Sequence, residues 1–338
     1  MHSVYRKQQI GHIMAAATKK SQFVMKLFII FCPFTLHIIQ GLEAASAGVA
    51  QHPAWMLLDA QDCGDSVADR IIGGTNAGLG QFPWIARLGY RSEGLTSGIE
   101  WLCGGALITP LHVVTAAHCT KSAGVVLKLQ RNQPRLLNPP NREWVRLGEH
   151  NTLTDPDCQL WTCAPPVQDI AIERVLPHRN FSNFHQDLAM LVLKTPAVFN
   201  DYVAPICLPR PELPGPLLGE PLTVAGWGKM NMTTEERATV LQYVQVPLVP
   251  PAACDIFGHG FKTSAGEVCA GAVMNKDACG GDSGGPLMKV YDTPEGPKTY
   301  LVGVVSFGPT ICGIKKPGVY TSVSYYLNWI LDKLLVNK

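Results

Sequence analysis

The sequence predicts an all-β domain, a barrel or a sandwich, finished by one C-terminal helix. Two observations carry this. From Ile71 onward, short runs rich in Val, Ile and Leu recur between Gly, Pro and Asn turns, with no strand–helix alternation and no internal repeat. Only the last stretch of chain has clear helical periodicity.

Examples, in order, are Trp84 to Leu88, Ala106 to Thr109, His112 to Thr115, Leu188 to Lys194, Leu222 to Ala225, Gln242 to Leu248, Leu287 to Tyr291, Tyr300 to Val305 and Val319 to Val323. Turn residues bound them, as they bound strands. Ser324 to Leu335 places Leu327, Ile330, Leu331 and Leu334 on one helical face, which suits a helix docked on the body. The span from Ile71 to Lys338 is enough for one large β domain or two fused barrels.

Composition agrees with a folded body. A charged fraction of 16% and a hydrophobic fraction of 46% in 338 residues exclude a disordered chain. The net charge of +2 supplies no field for a nucleic-acid partner.

Residues 25–47 read as a secretory signal. Lys26 precedes the apolar run Leu27 to Ile39, and the small residues Ala44, Ala45, Ser46 and Ala47 follow. Pro33 and His37 interrupt the run, which disfavours a membrane anchor, so no membrane association is expected after its removal. Residues 1–24 form a basic extension, and both Met1 and Met25 are compatible with the start. Removing the signal takes Cys32 and leaves ten of the eleven cysteines, an even number that fits a disulfide framework in an oxidising compartment. Zinc at Cys158 and Cys163 is disfavoured by spacing and by the lack of a second nearby pair. Residues 48–70 read as a linker or propeptide, and residues 71–338 as the main domain.

One loop concentrates chemistry. The run from Asp277 to Pro286 holds Asp277, Ala278, Cys279, Asp282 and Ser283 among Gly280, Gly281, Gly284 and Gly285. Glycines beside a serine allow close substrate approach and unusual backbone angles. A serine nucleophile needs a base, and His118 follows the run Val113 to Ala117. A neutral imidazole can take the serine proton and return it. The base needs an orienting carboxylate, and Asp187 stands just before an apolar strand.

These blocks, in the order His118, Asp187, Ser283, with Arg70-Ile71-Ile72-Gly73-Gly74 upstream, resemble the chymotrypsin-like serine proteases. The resemblance spans Ile71 to about Lys333. It implies two six-stranded antiparallel β-barrels with the active site between them and a C-terminal helix. Ser283 would form an acyl-enzyme, His118 would act as base and then acid, and Asp187 would hold His118. The backbone amides of Gly281 and Ser283 would form the oxyanion hole, each worth about 3 kcal/mol in the transition state.

Further roles follow from the resemblance. Asp277 would select Arg or Lys from the base of the specificity pocket, with Gly308 and Gly318 in its walls. Ala278 in place of a serine removes a partner for lysine and favours Arg. Ser306 to Gly308 would pair with the substrate as an added strand, and Phe307 stands where tryptophan is usual. Pro317 before Gly318 disfavours a sodium effect. Cleavage after Arg70 would free the Ile71 amino group to pair with Asp282 and complete the site. The implied disulfides are Cys63–Cys207, Cys103–Cys119, Cys158–Cys163, Cys254–Cys269 and Cys279–Cys312, the first retaining the cleaved propeptide.

Cys158–Cys163, Cys63-Gly64 and Cys207 resemble the arthropod clip-domain branch, whose members act in immune and developmental cascades. The six cysteines of a clip domain are absent upstream, so that domain is either lost or missing from the sequence as read. The implied partners are protein substrates, among them downstream zymogens, an upstream activating protease and serpin-type inhibitors. A digestive or venom protease and a non-catalytic cascade cofactor are the competing readings. No cofactor is required. Glu149 and Asn151 match the start of a calcium loop in some relatives, against the alternative of a solvated loop. Asn180 and Asn231 open glycosylation sequons.

Overall fold

The computed structural model describes residues 48–66, 76–91, 99–120, 144–229, 236–258, 260–274, 281–309 and 314–336. The chain forms two units, residues 1–52 and 53–338. Of the first, only residues 48–52 are described, and 48–50 are helical.

In the second unit, β1 (Ile85–Arg91), β2 (Ile99–Thr109), β3 (His112–Thr115) and β4 (Trp144–Leu147) come first. A small hairpin follows, β5 (Cys158–Gln159) and β6 (Thr162–Cys163), then β7 (Gln168–Pro177) and β8 (Ala189–Leu193). Apart from the hairpin these strands close a barrel in the order β1-β2-β3-β8-β7-β4. Every pairing is antiparallel. β8 is buried at all five positions, and β4 alternates between buried and half-buried, as a strand with one face on the core does.

The second sheet holds β9 (Pro221–Gly226), β10 (Gln242–Pro247), β11 (Glu267–Gly271), β12 (Pro286–Thr293), β13 (Gly296–Phe307) and β14 (Pro317–Ser322). Its order is β10-β9-β12-β13-β14-β11. The sheet curls rather than closing by a full ladder. A bridge from Leu248, just past β10, to Ala270 in β11 ties its edges, and Val249 N–H donates to Cys269 O at 2.9 Å. Leu222, Val224, Val246, Leu287, Val302, Val305 and Tyr320 fill its core.

Three short α-helices and one 3-10 helix (Pro251–Phe257) complete the described unit, the α-helices being α1 (Trp55–Leu58), α2 (Ala117–Thr120) and α3 (Leu327–Leu334). α3 buries Leu327, Ile330, Leu331 and Leu334, the face that the periodicity predicts. The buried Trp84 indole N–H points at Met288 Sδ, 3.0 Å away, and so joins the first barrel to β12.

Candidate active site

The two sheets meet where the three predicted residues gather. His118 lies on α2, directly after β3. Asp187 lies two residues before β8, the neighbour of β3 in the barrel, so both arrive from the same wall. Ser283 lies in the turn that enters β12 of the other sheet.

Asp187 is fully buried and its carboxylate is well supplied with donors. Oδ2 lies 2.7 Å from His118 Nδ1, and Oδ1 accepts the His118 backbone N–H at 2.9 Å. Ser306 Oγ donates to Oδ2 at 2.5 Å, while Thr321 Oγ1 donates to the Asp187 carbonyl at 2.7 Å. With Nδ1 against the carboxylate, the imidazole turns Nε2 outward. Nε2 lies 3.7 Å from Cys119 Sγ, and the same sulfur lies 3.6 Å from the Ser283 carbonyl oxygen. Among the described residues no hydrogen bond joins Ser283 Oγ to His118. Such contacts are commonly loose before substrate binds.

The serine turn is held from both sheets. Gly104 N–H on β2 donates to Ser283 O at 2.7 Å, and Gly284 N–H donates to Val305 O on β13 at 2.8 Å. Gly281 has φ +110 and Gly284 has φ +79, and a Cβ on Gly284 would overlap Thr115. Gly308 and Gly318 face each other, a Cβ on Gly308 reaching 3.9 Å from the Gly318 Cα. A bulge in the β13–β14 pairing falls at Ser306 and turns its hydroxyl to Asp187.

Among the described residues four disulfides are present: Cys63–Cys207, Cys103–Cys119, Cys158–Cys163 and Cys254–Cys269. Cys103, His118 and Cys119 bring three potential metal-ligand atoms within 4.8 Å of one another, but both sulfurs are consumed in the bridge. Asp277, Arg70, Ile71, Asn231 and the Cys279–Cys312 pair lie outside the described residues. Asn180 is exposed.

The trypsin family model matches residues 71–330. The chain belongs to the trypsin family of serine proteases. It is similar to CLIP domain-containing serine protease HP8 of Bombyx mori, 38% identical over 86% of this chain and 76% of that protein. Phenoloxidase-activating factor 1 of Holotrichia diomphalia is also 38% identical, over 80% of this chain and 71% of its own length. Among solved structures, the Drosophila Grass clip serine protease of the Toll pathway superposes with a TM-score of 0.68 at 32% identity, covering 85% of this chain and 79% of that one.

In this trypsin-family protease Asp282 occupies a tight nest. Its Oδ1 accepts the Gly228 N–H at 2.8 Å. A Cβ on Gly228 would lie 2.6 Å from the carboxylate carbon, and one on Gly226 would overlap Oδ1. The glycines of Ala225-Gly226-Trp227-Gly228 are the sequence signal for this nest, legible only once the partner is known.

The residues at the candidate calcium position, Glu149 and Asn151, do not fit a dication. Glu149 is buried, and its Oε2 lies 3.4 Å from Arg87 Nη1 and 3.2 Å from Arg146 Nη1. Asn151 Oδ1 accepts Leu153 N–H, and Asp157 caps the backbone of His150 and Asn151. Burial raises the Glu149 pKa, and the two guanidiniums oppose that. They supply the positive charge that an ion would bring.

Three further features were hidden in the sequence: the Ser306 and Thr321 hydroxyls on Asp187, and Phe184. The Phe184 ring lies 5.9 Å from the His118 ring and 4.8 Å from Phe307, so an aromatic wall lines the site.

Proposed function

We propose that this protein is a secreted zymogen of a trypsin-like endopeptidase, activated by cleavage after Arg70 and cutting peptide bonds after Arg in preference to Lys. The observation that carries it is the Asp187–His118 contact with Nε2 facing the Ser283 turn. In that arrangement Ser283 Oγ attacks the scissile carbonyl while His118 takes its proton. Asp187 stabilises the imidazolium, and the amides of Gly281 and Ser283 receive the oxyanion. His118 then returns the proton to the leaving amine, and water repeats the sequence to release the acid. Selection of a basic side chain rests on Asp277 with Gly308 and Gly318 in the pocket walls, and the preference for Arg over Lys on Ala278.

A place in an extracellular proteolytic cascade such as melanisation is supported by the names of its relatives, among them Melanization protease 1 of Drosophila melanogaster, 34% identical over 80% of this chain. In that role its partners are protein zymogens, an activating protease and serpin-type inhibitors. Secretion rests on the signal-like run of residues 25–47. Among the described residues no helix is long and apolar enough to cross a membrane.

The test is cleavage after Arg70 followed by an arginyl-ester assay. Hydrolysis that appears on cleavage and vanishes in Ser283→Ala is expected. Hydrolysis that survives that substitution sinks the reading.

A further inference from the structure

We infer that Arg237 reads the leaving-group side of the substrate and favours an acidic side chain within the first two residues after the scissile bond. This rests on the protease reading above and adds a specificity to it.

Arg237 stands at the wall of a cavity shared by the two sheets, lined by Trp101, Cys103, Gly281 and Asp282. Its Nη1 donates to Trp101 O at 2.6 Å, which pins the guanidinium. A Cβ on Gly281 would lie 3.4 Å from Arg237 Cζ, so the cation sits against the proposed oxyanion donor.

Direction follows from the rest of the site. Residues before the scissile bond run along Ser306 to Gly308, on the side where Ser306 meets Asp187. In that proposed pairing the residues after the scissile bond leave on the other side of Ser283, where Gly104 meets the Ser283 carbonyl and Arg237 flanks Gly281.

The three arginines there differ in their pairing. Arg146 lies 4.7 Å from the Trp101 ring centroid and Arg87 5.3 Å from it, forming a cationic rim. Arg87 meets Glu149, and Arg146 meets Glu149 and Asp169. Among the described residues, no carboxylate lies within ion-pair distance of Arg237. Asp282, in the same wall, turns its carboxylate to Gly226 and Gly228 instead. A fixed guanidinium in a cleft attracts a carboxylate and repels an ammonium.

The experiment uses the full chain cleaved after Arg70 and quenched-fluorescence peptides that differ only in Glu or Lys at the first or second position after the cut. The quantity read is the Glu-to-Lys ratio of kcat/KM within each variant. An arginyl ester, which has no residue past the bond, gives each variant its own scale. The wild type is expected to prefer Glu by about three- to tenfold at low ionic strength and less at high salt. Arg237→Ala should bring the ratio near one, Arg237→Glu should invert it, and Arg237→Lys should keep its sign. A wild-type ratio of one, or the wild-type ratio retained in Arg237→Ala, overturns the inference and leaves Arg237 as a latch on Trp101. If Arg237→Ala does not fold, the wild-type ratio and its salt dependence decide. Absence of ester hydrolysis by the cleaved wild type overturns the protease reading, and this inference with it.

Discussion

The Asp282 carboxylate and the Gly228 backbone meet at 2.8 Å in a space that admits no side chain at residue 228. In the proposed mechanism the neighbouring Gly281 and Ser283 amides depend on where that carboxylate sits. Gly228→Ala should displace it and lower kcat on an arginyl ester by about 100-fold, the scale of losing one oxyanion donor. Near-normal kcat would show that Asp282 does not set the loop.

Ser306→Ala removes a donor from a fully buried carboxylate. The expected cost is about 1–3 kcal/mol in denaturant unfolding, with a fall in kcat and little change in KM. An alanine variant as stable as the wild type would mean that the His118 contacts alone satisfy Asp187.

These two sites differ in how legible they were. His118, Asp187 and Ser283 are spelled out in short local blocks, because each sits at a strand end whose apolar run marks it. Ser306 was legible only as backbone, since the bulge that turns its hydroxyl is a property of the β13–β14 register. Gly226 and Gly228 carry no local mark, for what they make room for lies more than fifty residues away.

Calcium should leave stability unchanged. The melting temperature in chelator and in millimolar calcium should coincide, because Arg87 and Arg146 already face Glu149. Arg146→Ala should destabilise by about 3 kcal/mol by leaving a buried carboxylate poorly paired. A calcium-dependent rise in the wild type would overturn this.

His112 should contribute to acid sensitivity. Burial, with help from Arg174, pushes its pKa down from 6.5 to about 4, and its Nδ1 lies 2.7 Å from Thr109 Oγ1. The unfolded chain therefore binds the proton first as pH falls. The stabilisation is whole above pH 6.5 and lost by about pH 4, up to about 3 kcal/mol. His112→Gln should flatten the stability–pH curve across that window, measured by urea unfolding at successive pH values.

The segment before Arg70 should stay bound after the Cys63–Cys207 bridge is removed. Trp55 is buried beneath Arg210, at 4.4 Å from the ring centroid, and Lys298 pairs with Asp65 at 2.7 Å. Thr299 N–H donates to Gly64 O at 3.0 Å, where a Cβ would lie 2.6 Å from Thr299 O. A Cys63→Ala, Cys207→Ala protein cleaved after Arg70 should retain the segment in native gel filtration and release it in denaturant. Release under native conditions would show that the disulfide alone retains it.

The strands were read well where apolar runs were continuous. His112 to Thr115 is found with the expected bounds, while β4 and β7, which charged residues interrupt, and the short β11 lie outside the runs named from the sequence. The helix α2 escaped because four residues show no period. By itself the sequence determined the β class and the C-terminal helical face and singled out His118, Asp187 and Ser283 as candidates, since each depends on neighbours within a few positions. Only the tertiary structure decided that Ser306 and Thr321 serve Asp187, that two glycines house Asp282, that arginines face Glu149, and that Arg237 flanks Gly281. Those are contacts between residues far apart in the chain. Their energies come from burial and charge, which take definite values only once the two sheets have met.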